Sequence, residues 1–253
     1  IEASHQSIDC LYAAGAIAVD AVVTRVTDDP IEFNDNEFAV LRSGSQSALV
    51  RAVHGEFVLL SHHTPEAWGL HPRSKEQRFA LELLLDPDIA VIALDGRAGT
   101  GKTILAIAAG LDQVVEQNRY ERLAVYRPLV PVGRADVGFL PGGLDEKLDP
   151  WMAAIHDAVV ALTDRGGGSS SNSSNDARTM VDELTTRGQL SLESVTFLRG
   201  RSLQQQFVVV DEAQNLEPTT LRTILTRVGH GTKVIFTGDT SQMRRTSASR
   251  TTR

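Results

Sequence analysis

The spacing of apolar positions along the chain changes near residue 90. Between residues 37 and 61 three short runs rich in β-forming residues, EFAVLR, SALVRAV and EFVLLS, are separated by SGSQS and HG. Short strands divided by turn residues predict a small β-meander. Later apolar runs, such as VIALD at 91–95 and FVVV at 207–210, are continuous and alternate with helix-like segments. Strands that are apolar throughout are buried on both faces, so this part predicts a parallel sheet with helices on both sides.

The same pattern gives approximate bounds for the individual elements. Ser74 is placed to cap a helix that ends at Asp86 and Pro87. Residues 11–23 are compatible with either helix or strand, and the Gly, Ser and Asn run at 166–175 predicts a flexible insertion or linker. The predicted strands are 89–95, 123–128, 195–200, 207–213 and 233–239, and the further helices are 102–117, 145–162 and 218–228. We therefore expect three parts: a β-rich module at 1–70, an α/β core at 71–242 and an irregular basic tail at 243–253.

Composition narrows the class of protein. The 253 residues carry a formal charge of −7, and the last eleven hold four arginines and no acid, which leaves −11 on the remainder. A contact with nucleic acid must therefore be local. One cysteine precludes an intramolecular disulfide, and no apolar run reaches the ~20 residues of a membrane span. We expect no membrane partner and a cytoplasmic location, and the absence of an initial methionine suggests a fragment.

The segment GRAGTGKT at Gly96–Thr103 carries the strongest chemical signal. It matches G-x-x-x-x-G-K-[ST] and lies between a predicted strand and a predicted helix, the context in which this pattern binds phosphate. The glycines let the main chain turn its N–H groups toward a phosphate, and the helix N-terminus adds partial positive charge. Lys102 would reach the β- and γ-phosphates, and the Thr103 hydroxyl would ligate Mg²⁺. The predicted nucleotide-binding residues of the loop are Gly96, Arg97, Ala98, Gly99, Thr100, Gly101, Lys102 and Thr103.

Two further segments place polar residues at strand ends. In FVVVDEAQ, Asp211 would support the Mg²⁺ ion and Glu212 would take a proton from the attacking water. In FTGDTSQ, Gln242 could contact the γ-phosphate, with support from Asp239, although the segment taken alone is more typical of an ordinary turn after a strand. Gln77 either reads adenine through its amide or completes a capping box with Ser74.

Five longer segments together resemble the PhoH-like ATPase family, in particular the ATPase part of proteins that join a PIN ribonuclease domain to a PhoH domain. They are LHPRSKEQRFALELLLDPDI, LDGRAGTGKTILAIAAGL, YRPLVPVGRADVGFLPGGLDEKLDPWM, FLRGRSLQQQFVVVDEAQNLEP and TGDTSQ. The resemblance implies a RecA-like P-loop NTPase core of the superfamily 1 helicase type, ATP as the nucleotide and RNA as a partner. It also favours the adenine role of Gln77. Arg127, Arg199 and Arg201 fall where an RNA or phosphate contact is implied.

The chain departs from the family pattern at both ends. The first 70 residues lack the acidic quartet of a PIN nuclease, so nuclease activity is not expected. After Gln242 the sequence no longer follows the family pattern, which suggests that the core is truncated.

Three functions remain open on the sequence. The first is Mg²⁺-dependent ATP hydrolysis coupled to RNA binding, remodelling or unwinding. The second is an ATP-dependent switch or assembly scaffold without motor activity. The third, a P-loop small-molecule kinase, fits less well because a kinase activates a substrate hydroxyl and needs no water-activating acid at Glu212. Because the chain has length for one RecA-like domain, a neighbouring copy would supply the completing arginine, and we expect a hexameric ring in the intact protein.

Overall fold

The structure, a computed structural model, describes residues 1–22, 32–61, 63–128, 156–162, 173–198 and 202–242. The chain forms two compact units, Ile1–Thr64 and Pro65–Arg253.

The first unit is a four-stranded antiparallel sheet with two helices. It contains α1 (His5–Ala14), β1 (Ala16–Ala18), α2 (Val19–Val22), β2 (Phe38–Ser43), β3 (Gln46–Val53) and β4 (Glu56–Leu59), with the sheet order β1-β4-β3-β2. Ser4 caps α1, and Gly15 ends it with a left-handed φ of 79°. Strands β2 to β4 confirm the predicted meander, and the ambiguous stretch 11–23 contains both helix and strand. Alternate strand residues such as Leu41, Val50 and Phe57 form the core of this unit.

The second unit is built on a five-stranded parallel sheet, which confirms the predicted α/β fold. Its strands are β5 (Val91–Asp95), β6 (Arg122–Arg127), β7 (Leu190–Ser194), β8 (Gln206–Val210) and β9 (Lys233–Gly238), in the order β5-β9-β8-β6-β7. Its helices are α3 (Lys75–Leu85), α4 (Lys102–Leu111), α5 (156–162), α6 (Ser173–Thr186) and α7 (Pro218–Leu225). Strand β9 separates β5 from β8, so its carboxyl end lies between theirs.

Side chains from the central strands alternate between two apolar cores. On one face Leu123, Phe207 and Ile235 pack with residues of α3, α4, α5 and α6. On the other face Val208 and Val234 pack with Ile224 of α7. Burial on both faces explains why these strands are apolar throughout.

Several predicted bounds need correction. The segment 195–200 was expected to be a strand, but β7 ends at Ser194 and Val195–Leu198 forms a 3-10 turn. Val195 and Leu198 are buried because residues three apart share one face of such a turn. Helix α4 is also shorter than expected, since Asp112–Glu116 continues it as a π-turn.

The remaining expectations are affected by the described ranges. The sequence predicts a flexible insertion or linker over 166–175, yet residues 173–175 begin α6; the others lie outside the described residues. Of the helix expected at 145–162, residues 156–162 are described and are helical, and the tail 243–253 is not described. Within the described ranges, no helix is long and apolar enough to cross a membrane.

Lys233 fastens α3 to the sheet. It is 1% exposed, and its ammonium donates hydrogen bonds to the main-chain oxygens of Leu83, at 2.8 Å, and Asp86, at the end of α3. The carbonyls in the last turn of a helix have no partner within the helix. Lys233 therefore donates to one carbonyl of the last turn, which also accepts from the Asp86 N–H, and to the carbonyl of the C-cap residue Asp86. It ties α3 to β9, next to the phosphate-loop strand.

We expect Lys233→Met to lower the free energy of unfolding by about 1–3 kcal/mol, because it removes the ammonium that donates to the Leu83 and Asp86 carbonyls at nearly constant volume. Chemical denaturation monitored by circular dichroism measures this difference. Lys75→Met, at the exposed start of the same helix, is the matched control and should change stability by less than about 0.5 kcal/mol. Equal stability of the two variants would contradict the assignment.

Candidate functional site

The loop between β5 and α4 has the geometry of a phosphate cradle. Gly99 and Gly101 adopt left-handed φ angles of 80° and 89°, which side chains other than glycine rarely tolerate. Gly101 is also the N-cap of α4, so the loop opens directly onto the helix N-terminus. Main-chain N–H groups and the helix dipole favour an anion at such an end.

The Lys102 side chain folds back against its own loop. Its ammonium donates hydrogen bonds to the main-chain oxygens of Gly96, at 2.6 Å, and Arg97, at 2.9 Å. The loop thus holds a compact positive charge where the predicted β- and γ-phosphates would be bound.

Asp211 joins three elements at the sheet edge. It follows β8 directly, is buried, and accepts hydrogen bonds at Oδ1 from the hydroxyls of Thr103 and Thr237, each at 2.7 Å. Its other oxygen lies 3.8 Å from Nε of Arg127. Because the Thr103 hydroxyl donates its hydrogen bond to Asp211, the lone pairs of the hydroxyl oxygen remain able to ligate a cation. This is the arrangement expected of a Mg²⁺ ligand and the carboxylate that orients it.

Glu212 is held in an uncommon main-chain conformation with its side chain half exposed. Its φ is 53°, and its side chain is 39% exposed. One carboxylate oxygen accepts a hydrogen bond from the Gln214 amide, and the other lies 3.8 Å from Arg127. The carboxylate therefore lies beside Arg127, which also faces Asp211, and it is open to solvent, as a base acting on water requires.

Two carboxylates hold the turn that follows β9: Asp239 bonds residues within the turn, and Asp95, at the end of β5, joins the turn to that strand. Asp239 accepts hydrogen bonds from Ser241 and from the Gln242 amide, at 2.8 Å for the latter. The Ser241 hydroxyl is the main cause that lowers the pKa of Asp239. Asp95 accepts from the N–H and hydroxyl of Thr240, and the N–H bond is the larger cause that lowers the pKa of Asp95. Both acids are thus ionised at neutral pH, and the turn loses these bonds only as pH falls through their lowered pKa values.

The phosphate-loop segment, the two acids after β8 and the turn after β9 line a cavity of about 370 Å³. Such a volume lies within the range typical of small-ligand sites. The predicted site residues that line it are Ala98, Gly99, Gly101, Lys102, Thr103, Arg127, Asp211, Glu212 and Gln242, together with Ile104, Ala158, Gly238 and Asp239. Gly96, Arg97 and Thr100 bond Lys102 or one another at the back of the loop.

A nucleotide with Mg²⁺ fits this donor set. Across the described parts of the chain, no group of three or more His, Cys, Asp or Glu could hold a metal by itself. One hydroxyl beside one carboxylate, facing a phosphate loop, suits Mg²⁺, which commonly takes its other ligands from phosphates and water.

Gln77 lies at the outer side of the loop. Its main-chain N–H donates to the Ser74 hydroxyl at 3.2 Å, and its side-chain oxygen accepts from the N–H of Arg73 at 2.7 Å. Its amide nitrogen donates to the main-chain oxygen of Thr100 at 3.0 Å. Gln77 therefore takes part in the cap of α3 and also contacts the phosphate loop. The amide oxygen and nitrogen can each form one further hydrogen bond, which is what a contact with adenine requires. The adenine role stays a prediction.

Arg127 lies with the carboxylates in the cavity, and its RNA contact also stays a prediction. Arg199 and Arg201 lie outside the described residues.

Sequence reasoning missed Gln214, Thr237 and Asp95 as parts of the site. A hydroxyl within the apolar run of β9 and an acid directly before Gly96 were the available signals for two of them.

Comparisons with known proteins show which proteins this chain is similar to. A family model described as PhoH-like protein matches residues 69–252. Protein PhoH2 of Thermobispora bispora is 41% identical over 202 residues, which cover 80% of this chain and 43% of that relative. Protein PhoH2 of Bacillus subtilis is 40% identical over 245 residues, 95% of this chain and 52% of the relative.

A solved structure of the Sulfolobus solfataricus SWI2/SNF2 ATPase core in complex with dsDNA aligns with 70% of this chain and 34% of that chain, at 15% identity and a TM-score of 0.40. The chain spans about half the length of the curated relatives it matches. On the family model and these relatives, the chain belongs to the PhoH-like protein family.

Proposed function

We propose that this chain is the Mg²⁺-dependent ATPase module of a protein that acts on RNA. The observation that carries the proposal is the hydrogen bond from Thr103 to Asp211, beside Lys102 and Glu212 in one cavity. It joins the phosphate loop to the carboxylate pair through the hydroxyl that Mg²⁺ would share.

Each side chain then has a distinct task. Lys102 and the N–H groups of the loop bind the β- and γ-phosphates, and the Thr103 hydroxyl and Asp211 hold Mg²⁺. A Mg²⁺ ion held there would neutralise charge on the phosphate oxygens. Glu212 accepts a proton from water as the water oxygen bonds to the γ-phosphorus, and the bond from that phosphorus to the bridging oxygen breaks to release ADP. Gln242, tethered by Asp239, contacts the γ-phosphate and responds to its loss.

Adenine is proposed to be read by Gln77. An amide can donate a hydrogen bond to N7 of adenine and accept one from its N6 amino group. Guanine has the acceptor O6 in place of that amino group, so the amide oxygen would lose its donor. We expect Gln77→Ala to weaken ATP binding more than GTP binding, as measured by competition with a fluorescent nucleotide. Equal losses for the two nucleotides would instead indicate that Gln77 only caps α3 and supports the loop.

RNA is proposed as the partner of the longer protein, which we further propose carries a PIN domain. Because the chain apart from its last eleven residues is strongly acidic, an RNA contact must be local. Arg127, Arg199 and Arg201 are the proposed RNA or phosphate contacts. We also propose a cytoplasmic location. A neighbouring copy in a hexameric ring would supply the arginine that completes the nucleotide site.

Steady-state ATP hydrolysis with and without single-stranded RNA tests the proposal. We expect Mg²⁺-dependent turnover that RNA stimulates. Turnover that RNA leaves unchanged would favour a nucleotide-dependent switch or scaffold, and the absence of Mg²⁺-dependent turnover in the full-length protein would refute the ATPase assignment.

A further inference from the structure

Gln214 connects the carboxylate of Glu212 to the turn after β9. Its amide nitrogen donates a hydrogen bond to Oε2 of Glu212, and its amide oxygen accepts one from the main-chain N–H of Asp239 at 3.2 Å. Both ends of the carboxamide are therefore engaged, each by a residue that lines the cavity. Gln214 itself is not among the residues that line the cavity.

The end of β9 leaves room for this carboxamide because residue 238 is glycine. A Cβ placed on Gly238 would lie 2.8 Å from Oε1 of Gln214, closer than a Cβ packs against any atom. The backbone of Gly238 does not adopt a left-handed φ, so glycine is not required there by conformation. A methyl group at this position would therefore force the Gln214 amide to move from its present place.

Glu212 needs an external restraint to act on water at one position. Its side chain is 39% exposed, and Arg127 lies 3.8 Å from its other oxygen. Without a donor on Oε2, the carboxylate could rotate toward the guanidinium, which would draw the base away from the attacking water. A misplacement of about 1 Å in a reacting group can cost roughly 100-fold in rate.

We propose that Gln214 is a positioning residue that holds Glu212 for catalysis and links its orientation to the turn of Asp239 and Gln242. This inference rests on the proposed ATPase function. It assigns a role to the fourth residue of DEAQ that requires no contact with the nucleotide. The Gln242 amide bonds the side chain of Asp239, and the main-chain N–H of Asp239 bonds Gln214, so a movement of Gln242 at the γ-phosphate reaches Glu212 through Asp239 and Gln214.

The first test separates kcat from nucleotide binding. We expect Gln214→Met, which keeps the side-chain size but loses both hydrogen bonds, to lower kcat roughly 10- to 100-fold. The Kd for Mg²⁺–ATP should stay within about twofold, because Gln214 does not line the cavity proposed to bind the nucleotide. Asn215→Ala, the exposed neighbour in the same turn, is the control and should keep the wild-type kcat. A merely structural role would instead lower stability and binding together, as reported by thermal denaturation and the Kd.

The second test is a double-mutant cycle of Gly238→Ala and Gln214→Ala. Gly238→Ala alone should lower kcat because the new methyl group displaces the Gln214 amide. In the Gln214→Ala background, the same change should have little further effect, since the displaced group is gone. The same cycle measured on Kd should show no coupling.

The outcomes distinguish this inference from the proposed function. Wild-type kcat in Gln214→Met, or additive losses of kcat in the cycle, would overturn the positioning role while ATP hydrolysis and its dependence on Glu212 stand. A wild-type protein that does not hydrolyse ATP would refute the proposed function and this inference together.

Discussion

Replacing Lys102 with alanine is expected to abolish nucleotide binding. Lys102 is the single lysine of the GRAGTGKT loop. Its ammonium lies within 3 Å of the main-chain oxygens of Gly96 and Arg97, in the proposed phosphate cradle. The bound phosphates carry several negative charges in a partly enclosed site, where unscreened charge pairs are strong. The loss should raise the Kd for Mg²⁺–ATP at least about 100-fold, the effect of removing a charged partner that contributes roughly 3 kcal/mol.

Isothermal titration calorimetry measures this change directly. Lys102→Arg is an informative companion, because the planar guanidinium keeps the charge but cannot occupy the same compact position, and we expect it to bind ATP poorly as well. Thermal denaturation of each variant verifies that the fold persists. A Kd within about twofold of wild type for Lys102→Ala would exclude the loop as the phosphate site.

Glu212→Gln is expected to retain ATP binding and to stop hydrolysis. The amide nearly preserves the shape of the side chain but accepts a proton far less readily, so the water loses its base. General-base removal typically costs about 10²- to 10⁴-fold in kcat. Phosphate release under saturating ATP measures kcat, and titration with a fluorescent nucleotide measures the Kd.

Glu217→Gln is the matched control for charge. Glu217 is an exposed acid at the N-cap of α7 that makes no side-chain capping bond, and its loss should leave kcat close to wild type. If Glu212→Gln hydrolysed ATP at the wild-type rate, another group would have to act as the base.

The main parts of the candidate site could be predicted because parallel strands end at one edge of a sheet. The glycine spacing before Lys102 and the acids after the apolar run of β8 are local signals, and their meeting follows from the parallel arrangement alone. The structure places Thr103 2.7 Å from Asp211 although 108 positions separate them in the chain. Continuous apolar runs likewise predicted coverage on both faces of the sheet.

Other features depend on tertiary contacts that spacing does not encode. The insertion of β9 between β5 and β8 brings Asp239 against Gln214, and no local pattern predicts which strand occupies that position. Similarly, Val195 and Leu198 fit either a strand end or a 3-10 turn, and packing against the core of α7 selects the turn. The position of Arg127 beside both acids depends on the pairing of β6 with β8.

The central claim is that the cavity at the ends of β5, β8 and β9 binds Mg²⁺ and a nucleotide, and a crystal structure with Mg²⁺, ADP and beryllium fluoride tests it most directly. The account predicts that the β-phosphate lies within the Gly96–Thr103 loop, that the Thr103 hydroxyl ligates Mg²⁺ beside Asp211, and that Glu212 faces the beryllium fluoride. A nucleotide bound outside this cavity, or a Mg²⁺ ion remote from both Thr103 and Asp211, would contradict it.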